Sequence, residues 1–170
     1  MSYDVRAAEL GDATGMASVA DALTSPPSSA RDLARGVKLY KRAVRLGNTT
    51  AALNLAATYQ NLGRHQAAVR WFRRAWAAGD TSALLELAKA ELLGVGTRRN
   101  VPAAFERLRL LARCASAAPF EREEAMLVMA DALRNGWLVR RDYPQAIRLL
   151  RKAASLGSDA AQGLLAGLLL

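Results

Sequence analysis

Few residues in this sequence have the types and spacing that chemistry needs. It holds one histidine, His65, and one cysteine, Cys114. A histidine works as a general base when a carboxylate or nucleophile lies within reach. His65 sits in a tight inter-helix turn with no carboxylate near it in sequence. Cys114 shares a segment with Arg107, Arg109 and Arg113, and cationic neighbours can lower a thiol pKa. Its repeat position matches Leu156, however, so a buried, inert thiol is expected. Glu121, Glu123 and Glu124 read as acids favoured at a helix N-terminus by its dipole, more than as a paired acid and base. Gly94-Val95-Gly96 is no phosphate cradle, because no strand precedes it and no Gly-Lys-Ser/Thr follows. A single cysteine and a single histidine are too few soft ligands for a Cys/His metal site. No catalytic residue, metal or cofactor is assigned, and the inventory points away from an enzyme.

The basic residues do have a pattern. Lys38, Lys41 and Arg45 fall at i, i+3 and i+7, and Arg70, Arg73 and Arg74 lie along a later helix. Arg148, Arg151 and Lys152 occupy matching places further on. Stacked repeats would align these nine into a basic outer face. That face reads either as a solvated exterior of snorkelling side chains or as a seat for an anionic polymer, polysaccharide or nucleic acid. Stacking aromatics interleaved with the cations, which nucleic acid favours, are not evident. Trp71 and Trp76 read as packing residues. A further pair of basic doublets, Arg98-Arg99 and Arg140-Arg141, recurs in two long loops.

The elements that carry these residues repeat. Gly47-Asn48, Gly79-Asp80 and Gly157-Ser158 each separate two helix-like runs. The glycine supplies the left-handed residue that ends one helix, and the polar residue after it caps the next. Between the first two breaks, Leu55, Ala56, Tyr59 and Leu62 mark one helical face, and Ala68, Phe72 and Ala75 mark a second. Small residues let helices cross closely, so Ala56 and Ala68 are expected at the crossing, with Tyr59 and Phe72 filling beside it. One such pair cannot bury both of its apolar faces, so neighbouring pairs must stack.

The pattern Leu55-Ala56, Tyr59, Ala68, Phe72, Ala75 resembles the tetratricopeptide repeat. Leu93-Gly94-Val95-Gly96 to Pro102-Ala103-Ala104, Gly136 to Ala146, and Arg151 to Gly157 resemble more specifically the Sel-one-like repeat, a relative with a glycine-rich loop between its helices. The likeness runs from about Gly36 to the end. Glu91 departs from it in the place of Tyr59, and Gly36 in the place of Ala68. The resemblance implies an all-α right-handed superhelix, a solenoid of about four helical pairs plus a terminal helix. It also implies a non-enzymatic scaffold or adaptor for a protein partner, in settings such as bacterial envelope assembly, exopolysaccharide secretion, signalling or host interaction. In such a solenoid the first helix of each pair lines the concave side. Aligning Leu55, Leu87 and Met129 then puts Lys89 and Asp131 in the groove, with Gln60, Asn61, Arg134 and Asn135 also facing it.

Composition agrees with a helical array. Hydrophobic residues make up 52% of the 170 and aromatics only 6%, alanine doing much of the filling. Period-two runs of β-branched residues are absent, so no sheet is expected. The formal net charge is +9, with arginine far ahead of lysine. One cysteine excludes an internal disulfide framework. No stretch reaches the roughly 18 apolar residues of a membrane span. Met1 to Arg6 lacks the apolar centre of a signal peptide, which means a cytoplasmic protein if Met1 is native and a periplasmic one if the chain comes from an exported parent.

In order, helices are expected over Val5–Leu23, Ala30–Leu46, Thr49–Leu62, Gln66–Ala78, Thr81–Leu93, Val101–Ala115, Glu121–Asn135, Tyr143–Leu156 and Ser158–Leu170. Ser29 with Asp32 resembles a capping box, and Pro102 and Pro144 suit the first helical turn. Ala118-Pro119-Phe120 reads as an insertion with Phe120 tucked against the stack. Residues 1–170 form a single repeat domain, or part of a longer array. The last helix is apolar nearly all round over Leu164–Leu170. It is either a capping helix covered locally or a surface for self-association or a further repeat.

Overall fold

The computed structural model describes residues 11–136 and 138–169. Among them are nine helices and no strand. They are α1 (Ala13–Thr24), α2 (Ala30–Arg45), α3 (Thr50–Asn61), α4 (His65–Ala77), α5 (Ser82–Leu93), α6 (Val101–Arg113), α7 (Pro119–Asn135), α8 (Tyr143–Ala154) and α9 (Asp159–Leu169). Two compact units divide the chain, Met1–Ala83 and Leu84–Leu170.

The helix boundaries follow from backbone chemistry. Gly47, Gly79 and Gly157 take φ of 90°, 95° and 100°, where a side chain would be strained. The next backbone N–H in each case folds back onto an earlier carbonyl: Asn48 onto Ala43, Asp80 onto Ala75, Ser158 onto Ala153. The side chains of the same three residues then accept the N–H groups of Ala51, Ser82 and Ala161. One dipeptide thus ends one helix and starts the next. The break also occurs at Gly11-Asp12, with φ of 88° at Gly11 and the Asp12 carboxylate accepting the Gly15 N–H. A helix therefore begins at Ala13, where Asp12 caps it. The part of the expected first helix over Val5–Leu10 lies outside the described residues, as do Trp137 and Leu170.

In the first unit, α1 packs on α2, α3 packs on α4, and α2 joins the two hairpins through α3. Ala20, Gly36, Ala56 and Ala68 are all buried. A Cβ on Gly36 would lie 2.6 Å from Thr24 Cγ2 and 3.1 Å from the Ala20 carbonyl oxygen. That closeness is why glycine replaces alanine here. Tyr59, Phe72 and Ala75 are buried as their spacing predicts.

In the second unit, α7 packs on α8, α6 on α7, and α8 on α9. Ala88, Ala104, Ala130 and Ala146 repeat the buried small positions. The loops leading to α6 and α8 are long but anchored. The Asn100 N–H donates to the Glu91 carbonyl at 2.8 Å, and the Asp142 N–H donates to the Leu133 carbonyl at 3.0 Å. Asn100 and Asp142 then cap their helices.

Ala118-Pro119-Phe120 is not an insertion outside the helix. Pro119 opens α7, its missing N–H costing nothing in the first turn, and Glu121 Oε2 accepts the Ala118 N–H at 3.1 Å. Phe120 consequently points outward and is 65% exposed instead of tucked away.

Candidate functional site

The second unit contains an open cleft of about 600 Å³. Its walls come from first helices only: α5, α7 and α9. Leu92, Leu127, Val128, Ala160 and Leu164 supply apolar surface, and Leu93 and Phe120 stand at it largely exposed. The periodicity of α7 explains its composition. Glu123, Glu124, Leu127, Val128 and Asp131 fall at i, i+1, i+4, i+5 and i+8, one helical face. The opposite face of α7 is buried through Ala125, Met126, Met129 and Ala132. A helix apolar on its packed side and half-apolar on its cleft side leaves hydrophobic surface uncovered.

Polar groups in the cleft are partly committed. Lys89 Nζ bridges from α5 to Glu124 Oε1 on α7 at 2.5 Å and reaches Glu86 Oε1 at 3.5 Å. Burial disfavours its ammonium, but the hydrogen bond to Glu124 and the two carboxylate charges outweigh this, so its pKa is held above the ordinary lysine value. Asp131 Oδ1 accepts from Arg134 Nη2 at 3.0 Å and from Asn135 Nδ2 at 2.8 Å. Glu123 makes no ion pair among the described residues. Of the expected groove residues, Lys89 and Asp131 line the cleft, and Arg134 and Asn135 adjoin it through Asp131. Gln60 and Asn61 are exposed at the end of α3 in the other unit.

Of the nine basic-face residues, Lys41 is half-buried and Lys38, Arg45, Arg70, Arg73, Arg74, Arg148, Arg151 and Lys152 are exposed. All nine lie on the second helices α2, α4 and α8. Arg74 stacks over the Trp71 ring at 5.3 Å.

Several features escaped the periodicity. Asp21 occupies in the first unit the place of Lys89 and Asp131, ten residues after its break. Its carboxylate accepts the Tyr40 hydroxyl and, at 2.9 Å, the Asn54 amide. This joins α1, α2 and α3. Burial, then the Asp21 carboxylate, raises the Tyr40 pKa well above the ordinary tyrosine range. The signal for Asp21 was present, since Gly11-Asp12 repeats Gly79-Asp80 letter for letter. Glu91, odd by its position, is 6% exposed and meets Arg107 Nε at 2.9 Å. Cys114 is partly exposed instead of buried, because α6 stops one residue before it. Its Sγ lies 3.2 Å from Ser116 Oγ, a hydrogen bond that lowers its pKa. No group of three or more His, Cys, Asp or Glu able to hold a metal ion occurs among the described residues. No helix there is long and apolar enough to cross a membrane.

Helical hairpins that repeat their caps and their buried alanines define a repeat protein of the tetratricopeptide-like kind. The pattern of the Sel1 repeat matches residues 27–48, 50–80, 81–113 and 123–158. The chain belongs to the Sel1 repeat family, and its architecture is an all-α helical-repeat solenoid. Sel1 repeat proteins are generally interaction scaffolds for other proteins and generally non-catalytic.

Similar solved structures agree on the fold. One is a protective antigen present in uropathogenic Escherichia coli strains displaying an SLR fold, 28% identical with a TM-score of 0.68 over 89% of this chain and 32% of that one. A Sel1 repeat protein from Oxalobacter formigenes is 19% identical, with a TM-score of 0.70 over 93% of this chain and 64% of that one. A Sel1 repeat protein from Klebsiella pneumoniae subsp. pneumoniae is 17% identical, with a TM-score of 0.56 over 96% of both chains. The chain thus spans about a third of the first of these proteins and under two thirds of the second. No curated protein matches the sequence.

Proposed function

We propose that this chain is a non-enzymatic scaffold that binds a protein partner along the inner faces of its first helices. The observation that carries this reading is the open apolar cleft, whose lining comes from first helices alone. Large exposed apolar groups such as Phe120 and Leu93, rimmed by charge, are what a partner's desolvating surface needs. In this reading Lys89, Asp131, Arg134 and Asn135 give orientation at the cleft, and Gln60 and Asn61 contribute from the first unit. The whole chain acts as one repeat domain, since the family match continues from 50–80 into 81–113 across the boundary between units. The biological setting is that of bacterial envelope assembly, exopolysaccharide secretion or signalling. The test is capture of the partner by wild type and by a Lys89→Ala/Asp131→Ala/Arg134→Ala variant. Loss of capture supports the reading, and equal capture rejects it.

A second reading, an anionic polymer held by the basic face, has its own support. Lys38, Arg45, Arg70, Arg148, Arg151 and Lys152 make no ion pair among the described residues. Affinity for heparin or single-stranded DNA would then fall steeply with salt. Self-association through Leu164–Leu170 is a third element of the proposal. It rests on the exposure of Ala166 in α9, which stands where the other first helices bury an alanine.

A further inference from the structure

The cleft carries a charge opposite in sign to that of the chain. Of the charged residues that line it, one is a cation, Lys89, and three are carboxylates, Glu123, Glu124 and Asp131. That leaves two negative charges in the cleft of a chain whose formal net charge is +9. Lys89 is already engaged between Glu86 and Glu124, and the adjoining Arg134 is engaged on Asp131. An acidic ligand would have to compete with these carboxylates for either cation. Along α7 the acids and the apolar pair Leu127 and Val128 share one face, carboxylates before and after the hydrophobic patch.

We infer that the occupant of this cleft is an amphipathic protein segment with an apolar stripe flanked by lysine or arginine. The inference rests on the proposed function and names the partner's chemistry. Apolar anchors would fill the surface between α5, α7 and α9, and the basic flanks would meet Glu123 and Asp131. An acidic segment would meet unpaired like charge, which costs affinity and excludes it. The overall positive charge does not reverse this, because charges separated by more than about 8 Å are largely screened at physiological ionic strength. The contacts inside the cleft are shorter than that.

The test uses two labelled helical peptides with identical leucine stripes, one with lysine and one with glutamate at every other position. Binding to the full chain is read by fluorescence anisotropy. The lysine peptide is expected to bind at least tenfold more tightly than the glutamate peptide. Glu123→Lys should weaken the lysine peptide about fivefold or more and strengthen the glutamate peptide. Glu106→Lys, an equal charge change on α6 outside the cleft, should do neither. Val128→Asp should abolish binding of the lysine peptide, with an unchanged helical circular dichroism spectrum showing that the variant folds. Equal affinity for the two peptides, preference for the glutamate peptide, or equal effects of Glu123→Lys and Glu106→Lys would each overturn the inference. Preference for the glutamate peptide that Val128→Asp still abolishes would reject the basic partner while leaving the cleft as the binding site. Binding of either peptide that ignores Val128→Asp would reject both.

Discussion

The α3–α4 hairpin of the first unit and the α5–α6 and α7–α8 hairpins of the second solve one problem with different loops. In the first unit the Arg64 N–H returns to the Tyr59 carbonyl five residues earlier, at 2.8 Å. In the second, Asn100 and Asp142 return to Glu91 and Leu133 nine residues earlier. Four residues beyond each donor lies a buried alanine: Ala68, Ala104 and Ala146. The anchor and the close crossing are kept, and the loop is slack. The side chain on the anchoring residue is equally free to vary, being Tyr59, Glu91 or Leu133. Register is therefore set by small buried residues and by one backbone hydrogen bond, not by the turn.

Filling a crossing should break this scheme most severely. Gly36→Leu forces atoms against Thr24 and the Ala20 carbonyl, and should cost about 3 kcal/mol. Ala88→Leu and Ala130→Leu should each cost about 1–3 kcal/mol. Urea unfolding midpoints will measure all three, and losses under about 0.5 kcal/mol would mean that the crossings are loose.

The anchoring side chain should matter less if its partner changes with it. Glu91→Ala strands the Arg107 guanidinium and should cost about 1–3 kcal/mol. The double change Glu91→Leu/Arg107→Leu, which imitates Leu133, should be close to neutral. A double-mutant cycle on thermal midpoints reads the difference.

The Asp21–Tyr40 link predicts a pH dependence confined to the first unit. Burial disfavours tyrosinate more in the folded chain than in the unfolded one, where the pKa is near 10.0. Stability from this site is complete below that pH and drains away as the pH rises beyond it. Tyr40→Phe should cost about 1 kcal/mol at pH 7 and lose less stability than wild type between pH 9 and 11. Parallel denaturation curves for the two proteins across that range would contradict the assignment.

The loops should matter least. Two residues inserted between Thr97 and Arg98 should cost under about 0.6 kcal/mol, as loop-closure entropy grows slowly with length. A cost like that of Ala88→Leu would show that the loop, not the crossing, holds the hairpin.

The repeating breaks made most of the fold legible in the sequence. Gly47, Gly79 and Gly157 with their polar successors mark helix ends by local chemistry, and the alanine and aromatic spacing between them marks the buried faces. Lys89 and Asp131 could be placed at equivalent positions of their helices for the same reason. The cleft itself was not legible. It depends on Phe120 turning outward once Pro119 opens α7, and on Leu127 and Val128 being left uncovered by α5 and α9, which are tertiary facts. The sequence of α7 carries apolar residues on two faces, and periodicity alone could not say which face stays open. Cys114 departs from its expected burial because it and its counterpart Leu156 both lie beyond their helix ends, where each is half-buried.

The proposed function puts partners on the inner faces of first helices and not on the basic second helices. A photo-crosslinking amino acid placed at Val128 on α7, and separately at Arg151 on α8, tests it in the protein's native host. A discrete protein adduct is expected from Val128 and none from Arg151. An adduct from Arg151 with none from Val128 would contradict it.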